Sequence, residues 1–338
     1  MTEPQKARLS PKRSNVAKSE FVEDARRVSE EVGIGVDELA AIYVLDSVKY
    51  LGPQAFKELR TAGLQPLDAC KNPSVIPTKG LRGDKIREQL GLQIKQQWEV
   101  CHQRAIRQII TAHRHQAKIV TYTHPAYPPN VYESNYPAPV LYIRGSKEVL
   151  GTRNAVACVG TRKIGEPYSE WERAFVQAAS LKGFSIISGF ALGADSIGHQ
   201  TAWKTNGETV CVMPGGLDRP FPPENRDLWN SLLQYQSATF VSEFPFGTSA
   251  STLTLRKRNK LIVAFAKGVL VAQSSAKGGA MNAYRFAVEQ RKPVATFEPD
   301  GTDKTSGNSA ITEYANGFVL KSELEAFEQW LRELSSST

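Results

Sequence analysis

From Ala155 onward the chain alternates short, wholly apolar runs with amphipathic helical stretches. Residues 155–159, 184–187, 208–213, 239–242, 268–272 and 293–297 read as strands, and 169–181, 195–204, 224–233, 255–266 and 279–290 read as helices. A strand that is apolar on both faces needs cover on both faces, which a parallel sheet flanked by helices supplies. The pattern predicts an α/β fold of the extended Rossmann type, a doubly wound and mainly parallel sheet. In such sheets ligands bind outside the carboxyl ends of the strands, so the loops that follow strands are where chemistry is sought.

Upstream the rhythm is different. Residues 1–35 are polar and charged and are expected to be a flexible tail, apart from a helix near residues 21–32. Residues 36–115 predict a small helical domain, SAM-like or helix-hairpin-helix-like, with Gly52-Pro53 as a turn and Pro53 opening a helix. The sheet domain is placed at 116–321, and 322–338 is expected to be a C-terminal amphipathic helix and tail. The helical stretch 81–115 is basic and carries His102, His113 and His115, but without a second cysteine or nearby carboxylates it reads as a solvated face rather than a metal site.

Composition narrows the classes. The 338 residues carry a net charge of +8, which favours an anionic partner and also serves plain solubility. No apolar run approaches a membrane span, and the N-terminus lacks the apolar core of a signal peptide. Cys70, Cys101, Cys158 and Cys211 are far apart with no Cys-x-x-Cys pair, which fits a reducing cytoplasm and no membrane association.

The first strand runs into Gly160-Thr-Arg-Lys-Ile-Gly, where loop N–H groups, Arg162 and Lys163 form an anion site or, alternatively, a solvated pair of loop charges. The loop is neither Gly-x-Gly-x-x-Gly nor a P-loop, and no acidic residue ends the second strand to hold a ribose. That strand gives Ser188-Gly-Phe-Ala-Leu-Gly-Ala-Asp, with Ser188 as a donor, Gly189 and Gly193 in the turn, and Asp195 read as a cap or brace. His199 follows Asp195, but without a nucleophile elbow the pair does not make a hydrolase. The third loop, Met213-Pro-Gly-Gly-Leu-Asp-Arg-Pro-Phe-Pro-Pro-Glu-Asn-Arg, contributes Arg219 and Arg226.

These motifs, in this order, resemble the DNA-processing protein A (DprA, or Smf) family. The match rests on Val159-Gly-Thr-Arg, Ser188-Gly through Asp195 and His199, Gly216-Leu-Asp-Arg with Phe221-Pro-Pro-Glu-Asn, Ser242-Glu-Phe-Pro-Phe-Gly-Thr, Lys257-Arg-Asn-Lys-Leu-Ile and Ser306-Gly-Asn-Ser. Upstream, His124-Pro-Ala-Tyr-Pro-Pro and Pro139-Val-Leu-Tyr-Ile-Arg-Gly resemble the family's entry segment. The resemblance implies a cytoplasmic, non-enzymatic protein without cofactor that binds single-stranded DNA, dimerises, and helps load a RecA-type recombinase in transformation or other DNA processing. It further implies a phosphate-binding set of Gly160, Thr161, Arg162, Lys163, Ser188, Gly189, Gly193, Arg219, Arg256, Arg258, Asn259, Lys260, Lys277 and Gly278, with Arg256, Arg258 and Lys260 extending a positive track. Phe190, Phe221 and Phe246 are read as base-stacking platforms or loop anchors.

The chain also departs from the family pattern. Lys277-Gly-Gly-Ala-Met-Asn-Ala replaces a hydroxyl-rich turn, Lys257 and Lys260 replace arginines, and no winged-helix domain is expected after Leu334. The alternative is a nucleotide-binding sensor or scaffold of the LOG-related superfold in defence or signalling. Pro214-Gly-Gly continues as Leu-Asp-Arg rather than the Gly-Thr of the hydrolases, which argues against nucleotide hydrolysis.

Overall fold

The computed structural model describes residues 11–49, 51–77, 80–146, 148–151, 153–313 and 317–336. Its helices are α1 (Pro11–Val32), α2 (Val36–Asp46), α3 (Pro53–Thr61), α4 (Pro66–Lys71), α5 (Gly80–Arg114), α6 (Pro129–Glu133), α7 (Tyr168–Leu181), α8 (Ala194–Lys204), α9 (Arg226–Leu233), α10 (Thr252–Phe265), α11 (Ala280–Glu289), α12 (Ser306–Thr312) and α13 (Leu324–Ser336). Its strands are β1 (Ala117–Thr121), β2 (Val140–Gly145), β3 (Ala155–Val159), β4 (Ser185–Ser188), β5 (Thr209–Val212), β6 (Ala238–Ser242), β7 (Gly268–Val271), β8 (Val294–Phe297) and β9 (Gly317–Leu320).

The chain divides into two compact units, Met1–Tyr50 with Leu64–Ile119, and Leu51–Gly63 with Val120–Thr338. In the first, α1 and α2 pack on the long α5. Two of the three α5 histidines meet carboxylates rather than a metal: His102 Nε2 lies 3.1 Å from Asp37 and His113 Nε2 lies 3.2 Å from Glu31. Arg104 covers the Tyr43 ring at 4.2 Å. The sequence placed a flexible tail up to residue 35, yet α1 is helical from Pro11, and Ala25 and Val32 are buried. The first ten residues of that expected tail lie outside the described residues. Helix α3, expected in the helical domain, clusters with the sheet unit, where Phe56 packs edge-on to Tyr122 at 5.0 Å.

The sheet runs in the order β1-β2-β6-β5-β4-β3-β7-β8-β9. From β6 to β9 every neighbouring pair is parallel, with Val156 facing Ile186 on one side and Gly268 on the other, while β2 pairs antiparallel with β6. Successive strands step one way from β3 to β6, then α10 returns the chain and β7 to β9 step the other way. The direction therefore switches between β3 and β7, where the outgoing loops diverge and leave a crevice at the carboxyl ends.

β3, β4, β5, β7 and β8 are buried at every position, as their unbroken apolar strings require. On one face Phe175 of α7 meets Phe327 and Trp330 of α13, with ring centroids 5.6 and 5.8 Å apart. Each such side chain stabilises the layer by about 1.5–3 kcal/mol. The C-terminal segment is thus part of the sheet core rather than an appendage. No helix among the described residues is long and apolar enough to cross a membrane.

Candidate nucleic-acid interface

Three loops interlock at the switch point. The loop after β3 is tied to the loop after β7, because Thr161 N donates to Gln273 O at 2.8 Å and Gly165 N donates to the Gln273 side-chain oxygen at 3.0 Å. The loop after β4 locks against the first, with Ala194 N donating to Thr161 O at 3.2 Å. Gly193 makes this possible: its φ is +75°, and a Cβ there would collide with the carbonyl groups of Thr161 and Arg162. The result is a rigid rim from which Arg162 and Lys163 stand exposed.

Beneath the rim lies a buried charge. Arg258, on the second turn of α10, is 5% exposed, and its guanidinium occupies the space that a side chain at Gly189 would fill. Nη1 is 3.7 Å from Asp195 Oδ2, an ion pair too long for a good hydrogen bond. Asp195 accepts instead from Ala191 N at 3.1 Å. Burial lowers the pKa of Arg258 from its ordinary value, Asp195 opposes that, and the like charge of Arg162 adds to it. Burial likewise raises Asp195, against the pull of Arg258. A guanidinium starts so high that it remains charged at neutral pH.

Two donors of this buried cation, Nε and Nη1, have no hydrogen-bond partner. Buried polar groups are nearly always satisfied, so an unsatisfied guanidinium marks a place where something is to be received. Arg258 and Gly189 line a cavity of about 90 Å³ together with Arg162, Leu192, Phe221 and Glu224. One buried and one exposed guanidinium thus face one small volume, an arrangement suited to a tetrahedral oxyanion.

Around the cavity, other titratable groups are neutralised by burial. His199 is fully buried, its Nδ1 2.7 Å from Thr209 Oγ1, and burial first and Arg258 second hold it down to about 3. Glu172 is fully buried, and burial, then Asp195, push it well above the usual carboxylate range. Both its oxygens lack partners, so it is a neutral acid rather than a base.

The residues expected to bind phosphate separate into groups. Arg162, Gly189 and Arg258 come together at the cavity, and Gly160, Thr161 and Gly193 build its rim. Lys163, Arg256 and Lys277 are exposed on neighbouring loops and the start of α10 but do not line it. Arg219 is exposed and pairs with Asp218 at 2.8 Å. Gly278 closes the turn after β7, its N donating to Ser275 O at 2.9 Å.

Three expectations are corrected. Ser188 is fully buried and its hydroxyl donates to Cys158 O at 2.5 Å, so it joins β4 to β3 rather than meeting a ligand. Arg256, Arg258 and Lys260 do not form one track, because residues two apart on a helix differ by about 200° in direction. Lys260 lies over the rings of Tyr136 and Phe286 at 4.3 and 5.2 Å, while Asn259 is half-buried. Of the three aromatic candidates, Phe190 is fully buried against Trp229 and Phe240, and Phe246 packs on Tyr142; Phe221 alone of these lines the cavity.

The sequence gave no role to several residues that hold the site. Asn225 Nδ2 donates to Phe190 O at 2.9 Å and to Ser196 Oγ at 3.0 Å, joining the third loop to the second. Asn308 accepts from Ser274 N at 2.9 Å and braces the loop after β7. The Pro214-Gly-Gly turn is packed, with Gly216 N donating to Thr248 O at 2.9 Å.

A family model described as DNA recombination-mediator protein A matches residues 118–328. Related sequences include Protein Smf of Synechocystis sp., 32% identical over 57% of this chain and 48% of that protein, and Protein Smf of Escherichia coli, 32% identical over 50% and 44%. The chain spans about half the length of these relatives. Among solved structures, DNA processing protein A of Streptococcus pneumoniae matches with a TM-score of 0.66 at 18% identity, over 85% of this chain and 96% of that one. DNA processing protein A of Helicobacter pylori, whose structure addresses its single-stranded DNA binding mode, matches with a TM-score of 0.57 at 22% identity, over 64% and 97%. Both share the fold described above.

Proposed function

This chain belongs to the DNA recombination-mediator protein A family, and from that premise we propose that it binds single-stranded DNA at the carboxyl end of its sheet. The observation that carries the reading is the buried Arg258 guanidinium, with unsatisfied donors facing a cavity that Arg162 shares. A backbone phosphate satisfies those donors, and exposed Lys163, Arg256 and Lys277 extend the attraction along the strand. Such contacts give affinity with little sequence preference and strong salt dependence. A single strand is the favoured form because its backbone can bend a phosphate into a recess.

The finer role we propose is the loading of a RecA-type recombinase onto that strand by a homodimer, in transformation or other DNA processing in the cytoplasm. We also propose that the chain turns over neither DNA nor nucleotides: His199 is buried and Glu172 is a neutral acid without contacts.

The test is an equilibrium titration of labelled single-stranded and duplex oligonucleotides at several salt concentrations, with the protein and its Arg162→Ala variant. Single strands are expected to bind more tightly than duplex. Arg162→Ala should weaken single-strand binding about tenfold and flatten the salt slope by about 0.7. Equal affinity and slope for the two proteins would reject the site.

A further inference from the structure

The opposite end of the sheet holds a second, larger recess. Arg153 precedes β3, Lys267 precedes β7, and residues 290–293 precede β8; with α6 they wall a cavity of about 350 Å³. Small-molecule pockets begin at about 300 Å³, so this space takes a ligand of nucleotide size. Four cations, Arg153, Lys267, Arg291 and Lys292, border it against one carboxylate, Glu133.

These charges are not equivalent. Arg153 Nη1 binds Glu133 at 2.9 and 3.2 Å. Lys292 Nζ donates to the carbonyls of Val263, Ala264 and Ala266 at 2.6, 3.0 and 2.5 Å, so its three hydrogens are spent and it offers charge alone. Arg291 is exposed, on a left-handed turn with φ +55°. Next to it, both amide atoms of Gln290 are shut off from solvent and have no hydrogen-bond partner. An amide presents a donor and an acceptor side by side, the pattern that matches the edge of a nucleobase. Phosphate alone would answer the cations and leave this amide unmet.

We propose that this cavity is a nucleotide site, in which Arg291 and Lys267 receive phosphate and the Gln290 amide pairs with the base edge. The ligand is a nucleotide unit, either free or at the end of a strand. The site is separate from the carboxyl-end DNA site and does not depend on it. Lys292 supports the phosphate with its charge, and because burial holds its ammonium down to about 8, affinity falls as pH rises through that value.

The experiment titrates the full chain with a fluorescent N-methylanthraniloyl-dATP and competes it with unlabelled dATP. Binding is expected, with Kd raised about tenfold or more by Arg291→Gln and by Gln290→Leu and unchanged by Arg162→Ala. Arg291 is exposed, so its variant tests the site even if Gln290→Leu disturbs folding, which a melting curve checks. A 5′-phosphorylated oligonucleotide that displaces the probe assigns the site to strand ends, and one that does not assigns it to free nucleotide. The proposal is overturned if the probe fails to bind, if Arg291→Gln binds as tightly as the parent, or if Arg162→Ala abolishes binding.

Discussion

The two ends of the sheet solve the problem of holding positive charge in opposite ways. At the carboxyl end the central cation, Arg258, is buried and only loosely matched to Asp195, so its donors stay open. At the amino end the cations are committed, Lys292 to three carbonyls and Arg153 to Glu133, and the unsatisfied group is the neutral amide of Gln290. Net charge alone therefore does not locate a phosphate site; unsatisfied donors do. The first arrangement suits a repeating phosphate read without regard to base, and the second suits a ligand with a base edge.

The largest expected effect breaks the buried pair. Arg258→Ala leaves Asp195 buried without its counter-charge and should destabilise the fold by about 3–5 kcal/mol in a urea titration, with much of the loss recovered by adding Asp195→Asn. A change below about 1 kcal/mol would mean that water already compensates the site, and the contrast between the two ends would dissolve.

A smaller effect sharpens the same contrast through pH. His199 is held down to about 3 in the fold, against 6.5 in the unfolded chain, so the unfolded chain takes up the extra proton between those values. Stability is full above 6.5 and is lost as pH falls toward 3, by about 1.4 kcal/mol per pH unit in that window. Urea midpoints at a series of pH values should show this slope, and His199→Gln should flatten it. An equally steep slope in that variant would assign the linkage to other groups.

Much of this architecture is legible in the sequence. Apolar strings such as 155–159 and 268–271 announce buried parallel strands, and the glycines after β3 and β4 announce the loops that meet at the switch point. β9 went unread because it is a short edge strand with Phe318 and Val319 exposed, which leaves no buried pattern to detect. The burial of Arg258 was invisible for a different reason. It depends on α10 crossing back over the sheet to lay a guanidinium where Gly189 lacks a side chain, a contact that no local string encodes. Lys260 shows the converse: the helical period already turns it away from Arg258, and a run of basic residues reads as one track only if that period is ignored.

The central claim is that the Arg258 guanidinium receives DNA phosphate. Its most direct test is the affinity of an Arg258→Met, Asp195→Asn double variant for a single-stranded oligonucleotide across a salt series, with folding verified by circular dichroism. The double variant removes the charge without stranding a carboxylate. Affinity about tenfold or more below the parent, with a salt slope shallower by about 0.7, is the predicted result. A folded double variant that binds with the parent's affinity and slope would contradict it.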